Sequence, residues 1–349
     1  MKYIEVKKFS EIDLNDPFFD SLKRDYSDFP EWFKRKAKEG AKAFILNRDD
    51  GSLQAFLYLK EEDTVNDVYP PLPNGKKIKI GTFKVDPHGT RLGERFLKIA
   101  IDYAYENNAR CLYVTTYKEK HPQLVKLFEE FGLKYYGSKG QESVFVKEMF
   151  KLEGNLTERY PLVEIKDETK IYVLGIYPEY HTRLFPDSKL KTENSDEIIR
   201  DISHTNGIFK NYIAKIHGLQ KLKPGDVLVI YRTKDKGRQS ARYSSVLTSL
   251  CVVLEKKHQD EFRDFSDFYI YCKPYSVFTR NELMYQYKTG DKKVVRMTYN
   301  VAFKKRLIKE YIEKNFGIPN YWGFFEIPKE FLKQIIIDAN VDERLIIGL

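Results

Sequence analysis

Long apolar runs are missing from these 349 residues. No stretch of about 18 apolar residues occurs, which excludes a helical membrane span. Cysteine is scarce: Cys111, Cys251 and Cys272 are odd in number, far apart and set in apolar surroundings. That excludes a disulfide framework and fits a reducing, cytoplasmic setting. The six histidines show no ligand spacing to one another or to paired cysteines, so no metal site is expected. The opening stretch, MKYIEVKKFSEIDLNDPFF, holds neither an apolar core segment nor a small-residue cleavage site, so no secretory signal is expected.

What is present is material for packed cores. Aromatics make up 15% and the apolar set 42%, which rules out a mainly disordered chain. The length suits two domains. Charge is unevenly spread. Residues 1–150 carry 26 Lys/Arg against 24 Asp/Glu, residues 151–200 carry 8 against 10, and residues 201–349 carry 26 against 17. A near-neutral front and a basic back are the simplest reading, and the back is the better candidate for an acidic partner.

In the front part, the first forty residues read as helical, with Phe18, Phe19, Leu22 and Tyr26 at helical spacing, then Phe29, Trp32 and Phe33 beyond a proline. Apolar runs at 43–46 and 53–59 flank an Asp-Gly pair, a hairpin signal. Residues 78–85 read as a strand and 90–106 as an amphipathic helix. Residues 111–117 read as a second strand, and 121–131 as a helix closed by Gly132. The turn VDPHGTRLGE puts Gly89 and Gly93 around a helix N-terminus directly after a strand. Unpaired N–H groups and a partial positive charge there suit a pyrophosphate.

The stretch IGTFKVDPHGTRLGERFLKIAIDYAYENNARCLYVTTY, followed by HPQLVKLFEEFGLKYYG, resembles the GNAT acyl-CoA-dependent N-acetyltransferases. The resemblance covers about residues 40–150. It implies a splayed mixed sheet whose opening between strands 78–85 and 111–117 admits acetyl-CoA as acetyl donor. The implied donor site is Phe83, Lys84, Val85, His88, Gly89, Thr90, Arg91, Leu92, Gly93 and Glu94. Two features depart from the family pattern in the loop: His88 stands at the usual Arg/Gln position and Arg91 at the first loop glycine. Two more lie in the second motif, where His121 replaces an Asn and Phe128 replaces the Tyr that protonates the leaving thiolate. A free thiol has a pKa near ~8.5, so that leaving group needs little help. For catalytic acid and base the sequence offers His121, Tyr117, Tyr135 and Glu61, and decides among none of them.

In the back part, 151–169 reads as a linker and 170–349 as one further domain. Segment 178–188 combines His181 and Arg183 with Tyr180 and Phe185 in a packed or binding loop. A helix is expected over 198–221, a strand over 227–231 after the turn LKPGD, and strands at 246–257 and in FYIYCKPYSVFT. Thr279 and Glu282 are spaced as a capping box, a strand is expected over 294–303, and 304–315 reads as a basic helix. The pattern LKPGDVLVIYR, followed by a strand ending in Glu, resembles the PUA superfamily with its ASCH and EVE domains, which implies a small β-barrel and binding of RNA or modified bases. Cations interleave with aromatics around the loop after that strand, at Arg232, Lys234, Lys236, Arg238, Arg242 and Tyr243. Such interleaving suits phosphate contacts and base stacking.

The expected fold class is therefore α+β: a GNAT-like splayed mixed sheet with helices over 1–150, a linker, then a PUA-like β-barrel domain with flanking helices over 170–349. The expected function is an acetyl-CoA-dependent N-acetyltransferase whose basic back domain positions an RNA or ribonucleoprotein substrate. Two alternatives stand beside it: a catalytically weak acetyltransferase fold in a nucleic-acid or modified-base binder, and a toxin or small-molecule acetyltransferase. A second copy of the chain stays open as a partner, and a membrane is not expected as one.

Overall fold

The computed structural model describes residues 4–86, 91–185, 207–234, 244–319 and 321–349. The chain divides into two units, Met1–Met149 and Phe150–Leu349.

The first unit runs β1 (Glu5–Lys8), α1 (Asp20–Asp25), α2 (Phe29–Lys38), β2 (Lys42–Asn47), β3 (Leu53–Glu62) and β4 (Lys77–Val85). It continues with α3 (Leu92–Glu106), β5 (Cys111–Thr116), α4 (Pro122–Glu130), β6 (Lys134–Lys139) and β7 (Glu142–Glu148). The seven strands form one mixed sheet in the order β1-β2-β3-β4-β5-β7-β6, in which only β4 and β5 are parallel. The Asp-Gly pair makes the β2–β3 hairpin, with Gly51 at φ +88°. Gly132, at φ +84°, ends α4 in the left-handed conformation that only glycine enters at no steric cost. The first forty residues are not wholly helical, because Glu5–Lys8 pairs antiparallel with β2.

Aromatic rings fill one side of this sheet. Phe9, Phe19, Phe29, Phe33 and Phe56 are buried together, with ring centres 4.8–6.3 Å apart, mostly tilted or edge-on as their quadrupoles prefer. Helix α3 lies against β3, β4 and β5. It is buried on more than one face and carries an internal ion pair, Lys98 Nζ to Asp102 Oδ2 at 2.6 Å, with the lysine side chain fully enclosed.

The second unit contains β8 (Val163–Glu164), β9 (Ile171–Ile176), α5 (Pro178–Leu184), β10 (Phe209–Ala214), β11 (Val227–Arg232) and β12 (Val246–His258). After these come α6 (Phe265–Cys272), α7 (Arg280–Lys288), β13 (Lys293–Ile308), α8 (Lys309–Asn315), β14 (Phe324–Ile327), α9 (Lys329–Asp338) and β15 (Ile346–Ile347). Six strands form a mixed sheet in the order β10-β13-β12-β11-β9-β14. The expected PUA-like barrel is corrected here: among the described residues the sheet is open, and no pairing joins its edge strands β10 and β14. The central strands β12 and β13 span 13 and 16 residues, the edges only six and four. Short edges cannot close around such strands, and helices cover the apolar surface instead. Phe268, Cys272 and Leu283 of α6 and α7 pack on Ile213 and Val294.

Five local expectations also change. FYIYC forms a helix because the Asp264 carboxylate caps it, accepting from Asp267 N at 2.9 Å, and this outweighs the strand propensity of its aromatics. Residues 209–214 are a strand, while much of the helix expected over 198–221 lies outside the described residues. Residues 304–308 continue β13, so the basic helix begins only at Lys309. Segment 178–184 is helix α5, opened by Pro178 at its first position. Residues 151–169, expected as a linker, contain the buried Tyr160, Leu162, Val163 and Ile165, and β8 there pairs with β15. In the turn before β11, Asp226 accepts from the backbone N–H of Lys223 (2.8 Å) and of Lys170 (3.1 Å), so its carboxylate ties β11 to the start of β9.

The Lys98–Asp102 pair generates a stability prediction. Asp102→Ala strips this carboxylate from an enclosed ammonium and is expected to cost about 3–5 kcal/mol in urea unfolding. A Lys98→Met/Asp102→Leu double variant is expected to recover most of that loss. Equal destabilisation by the single and double variants would show that packing, not charge, sets the cost.

Candidate functional site

The parallel ladder between β4 and β5 holds from Lys77 opposite Cys111 to Ile80 opposite Val114 and then stops. Both strands continue, but with other partners. β4 stays with β3 as far as Val85 opposite Ala55, and β5 stays with β7 as far as Thr116 opposite Ser143. The sheet therefore splits between them. Past Ile80 the edge of β4 that faces β5 pairs with no strand among the described residues, so alternate backbone N–H and C=O groups are turned into the opening.

Gly81 lies at the vertex of the split. The β3–β4 register shifts there, with Tyr58 opposite Thr82 but Leu59 opposite Ile80, so Gly81 is the extra residue of a bulge. A Cβ on Gly81 would lie 2.7 Å from Cδ1 of the Tyr58 ring, so the close approach of ring and backbone requires glycine.

A cleft of about 700 Å³ occupies the split. Its walls include Tyr26, Trp32, Phe83, Val85, Thr116 and His121. Gly93, in the first turn of α3, also lines it, and among the described residues the side chain of the N-cap Arg91 does not cap that helix start. The N-terminal end of a 15-residue helix thus lies at the cleft, where its dipole favours an anion. A second, polar cavity of about 420 Å³ shares Trp32, Lys79 and Gly81 with the first.

Several ionisable groups face the cleft. His121 Nε2 lies 4.0 Å from Asp25 Oδ2. Tyr26 is half-buried beside Tyr117, with ring centres 5.7 Å apart. Burial first, then the Glu142 carboxylate, pushes the Tyr26 hydroxyl up to about 12, while a hydrogen bond from Thr116 acts the other way. Tyr26 and Thr116 both line the cleft, so the phenol stands at its wall. The Lys84 ammonium donates to Ser21 Oγ (2.5 Å) and to Phe18 O, and burial holds it below the usual lysine value.

The expected donor residues divide. Phe83, Lys84, Val85 and Gly93 line the cleft. Arg91 is exposed at the N-cap of α3, and Leu92 and Glu94 turn their side chains into buried positions. His88, Gly89 and Thr90 lie outside the described residues. Of the four catalytic candidates, His121 alone lines the cleft. Tyr117 borders it through Tyr26, with the Lys120 ammonium 4.8 Å above its ring. Tyr135 is 59% exposed on β6, with Lys118 over its ring, so it faces solvent. Glu61 accepts from Lys76 (2.6 Å) and Tyr103 (3.0 Å) and lines neither cavity. Phe128 is fully buried against the Phe83 ring at 5.6 Å, a core residue.

Tyr26, Asp25 and Glu142 were missed by sequence reasoning. Tyr26 was counted on an apolar helix face, but it is the extended C-cap of α1 and reaches the cleft only through the tertiary fold.

In the second unit Arg232 is 1% exposed, so the reading of it as a surface phosphate contact is corrected: it belongs to the interior end of β11. Lys234 is exposed, and Lys236, Arg238, Arg242 and Tyr243 lie outside the described residues. His181 is fully buried with Nε2 3.0 Å from Thr248 Oγ1. Burial, then the Arg232 charge, hold its imidazole neutral, well below the usual histidine value.

No protein-family model matches the chain, and no curated protein matches it. Among solved structures it is similar to the N-acetyltransferase PseH of Campylobacter jejuni in complex with acetyl coenzyme A, at 18% identity over 42% of this chain and 98% of that one, with a TM-score of 0.29. It is also similar to a GNAT family acetyltransferase of Listeria monocytogenes, at 15% identity over 42% and 94%, with a TM-score of 0.33. A mutant of ZmASCH from Zymomonas mobilis matches at 7% identity over 49% and 96%, with a TM-score of 0.33. All three are likenesses at low score and low identity.

Proposed function

We propose that the first unit is an N-acetyltransferase that moves an acetyl group from acetyl-CoA to an amine. The observation that carries this reading is the split between β4 and β5, with the edge of β4 that no strand pairs among the described residues on one side and the start of α3 at its mouth. An unpaired strand edge offers N–H and C=O groups at the spacing that the amides of a pantetheine arm need. The helix start suits the pyrophosphate, with residues 89–94 around it.

In the transfer the amine nitrogen bonds to the acyl carbon as the C–S bond breaks. The nucleophile must first lose a proton as an ammonium. His121, which lines the cleft 4.0 Å from Asp25 Oδ2, is assigned as the base. The thiolate needs a hydrogen-bond donor that Phe128 lacks, and Tyr26 is assigned that place. With its hydroxyl near 12 against ~8.5 for a thiol, full transfer of the phenol proton is uphill by about 5 kcal/mol. Tyr26 therefore steadies the thiolate by a hydrogen bond; the second proton that the nitrogen sheds as the amide forms passes to solvent, and the thiolate takes its proton from there.

For the second unit we propose a role in positioning RNA, which rests on its charge, 26 basic against 17 acidic residues over 201–349. Lys234 and its neighbours Lys236 and Arg238 are the residues assigned to phosphate contact.

Two outcomes are expected. With acetyl-CoA and an amine mixture, CoA release requires the amine, and Tyr26→Phe lowers kcat about a hundredfold with little change in KM for acetyl-CoA. No CoA release from the folded protein removes the proposal, and a full-rate Tyr26→Phe removes the tyrosine from it. Replacing Lys234, Lys236 and Arg238 by Ala is expected to flatten the salt dependence of RNA binding by about two in the log–log slope. An unaltered slope excludes that loop.

A further inference from the structure

The polar cavity on the far side of the vertex is lined by five cations, Arg35, Lys36, Lys60, Lys79 and Lys139, against two carboxylates, Glu62 and Asp67. Most of this charge is matched in pairs. Lys60 binds Glu62 and Lys139 binds Asp67, each at 2.5 Å, and Lys36 binds Glu39 at 2.5 Å, with Arg35 3.9 Å from the same residue. Lys79 is the exception. It is half-buried, lies over the Tyr113 ring with its ammonium 5.8 Å from the ring centre, and makes no ion pair within 4 Å with a carboxylate among the described residues, while Glu62, Glu142 and Asp67 act on it from farther away. It is also one of three residues that line both this cavity and the cleft.

We propose that the amine accepted by the first unit carries an oxyanion, a carboxylate or phosphate, and that Lys79 pairs with it. The proposal rests on the acetyl-transfer reading and names the class of acceptor for it. Two physical arguments support it. A plain ammonium or a polyamine entering a cavity with an excess of positive charge is repelled, so a cationic acceptor is selected against. An acceptor with an oxyanion offsets that repulsion at Lys79, while the same positive field favours the neutral, nucleophilic form of its amine. Burial and the neighbouring Lys139 hold the Lys79 ammonium below its usual value, which an arriving anion would relieve.

The experiment uses the full chain, saturating acetyl-CoA and four amines that differ in the group at the far end: ethanolamine, β-alanine, phosphoethanolamine and 1,3-diaminopropane. The expected result is a kcat/KM at least tenfold higher for β-alanine or phosphoethanolamine than for ethanolamine, with diaminopropane lowest. The ranking of the two anionic amines tells carboxylate from phosphate. Lys79→Met is expected to lower kcat/KM for the preferred anionic amine at least tenfold more than for ethanolamine, and Lys79→Arg to restore part of the difference. Preference for diaminopropane, or an equal loss on all four amines in Lys79→Met, overturns the proposal. If acetyl-CoA does not bind at all, the acetyl-transfer reading falls as well. If it binds and anionic amines do no better than ethanolamine, only this inference falls.

Discussion

Midway along β4 the ladder to β3 takes in one extra residue, Gly81, at a point where the Tyr58 ring leaves no room for a Cβ. The bulge bends β4 away from β5 just where their parallel pairing ends, at Ile80 opposite Val114. Everything that gives the first unit a site depends on this split. It leaves backbone groups of β4 without a strand partner, makes room for a cleft, and brings that cleft to the start of α3. A continuous sheet would have satisfied those groups and left no site.

Polar chemistry is then set by which side chains the fold turns toward the split. From one side come Asp25 and Tyr26, at the end of α1, and from the other Thr116 and His121, after β5. Phe128, which stands where a hydroxyl would be expected, is committed to the core against Phe83. Tyr26 approaches from a different element, and both it and Thr116 line the cleft. Lys79 lines both cavities and makes no ion pair within 4 Å with a carboxylate among the described residues.

Local signals were legible in the sequence wherever structure follows from short spacing. The Asp-Gly hairpin, the α3 periodicity, Gly132 after α4 and the Thr279–Glu282 capping box all form as spaced, with Thr279 N 2.6 Å from Glu282 Oε2. The splayed strands followed from the GNAT resemblance. Tertiary context decided the rest. FYIYC reads as a strand by propensity and becomes a helix through Asp264. The basic run at 304–308 reads as helix and extends β13. The barrel expected for the second unit is an open sheet among the described residues, because helices α6 and α7 cover what closure would have buried. Arg232 looked like a surface cation in a basic stretch, yet β11 is buried along its whole length, on both faces, and Arg232 with it. Tyr26 carried no local mark of function, since its role depends on Thr116 and Glu142, about ninety and a hundred and sixteen residues away.

The central claim is that the unpaired edge of β4 receives the acetyl donor. Amide hydrogen exchange on the full chain, with and without acetyl-CoA, tests it most directly. The account predicts slower exchange on adding acetyl-CoA, confined in the first unit to residues 81–85 and the start of α3, with β2 and β6 unchanged. Binding of acetyl-CoA without protection of residues 81–85 would contradict it.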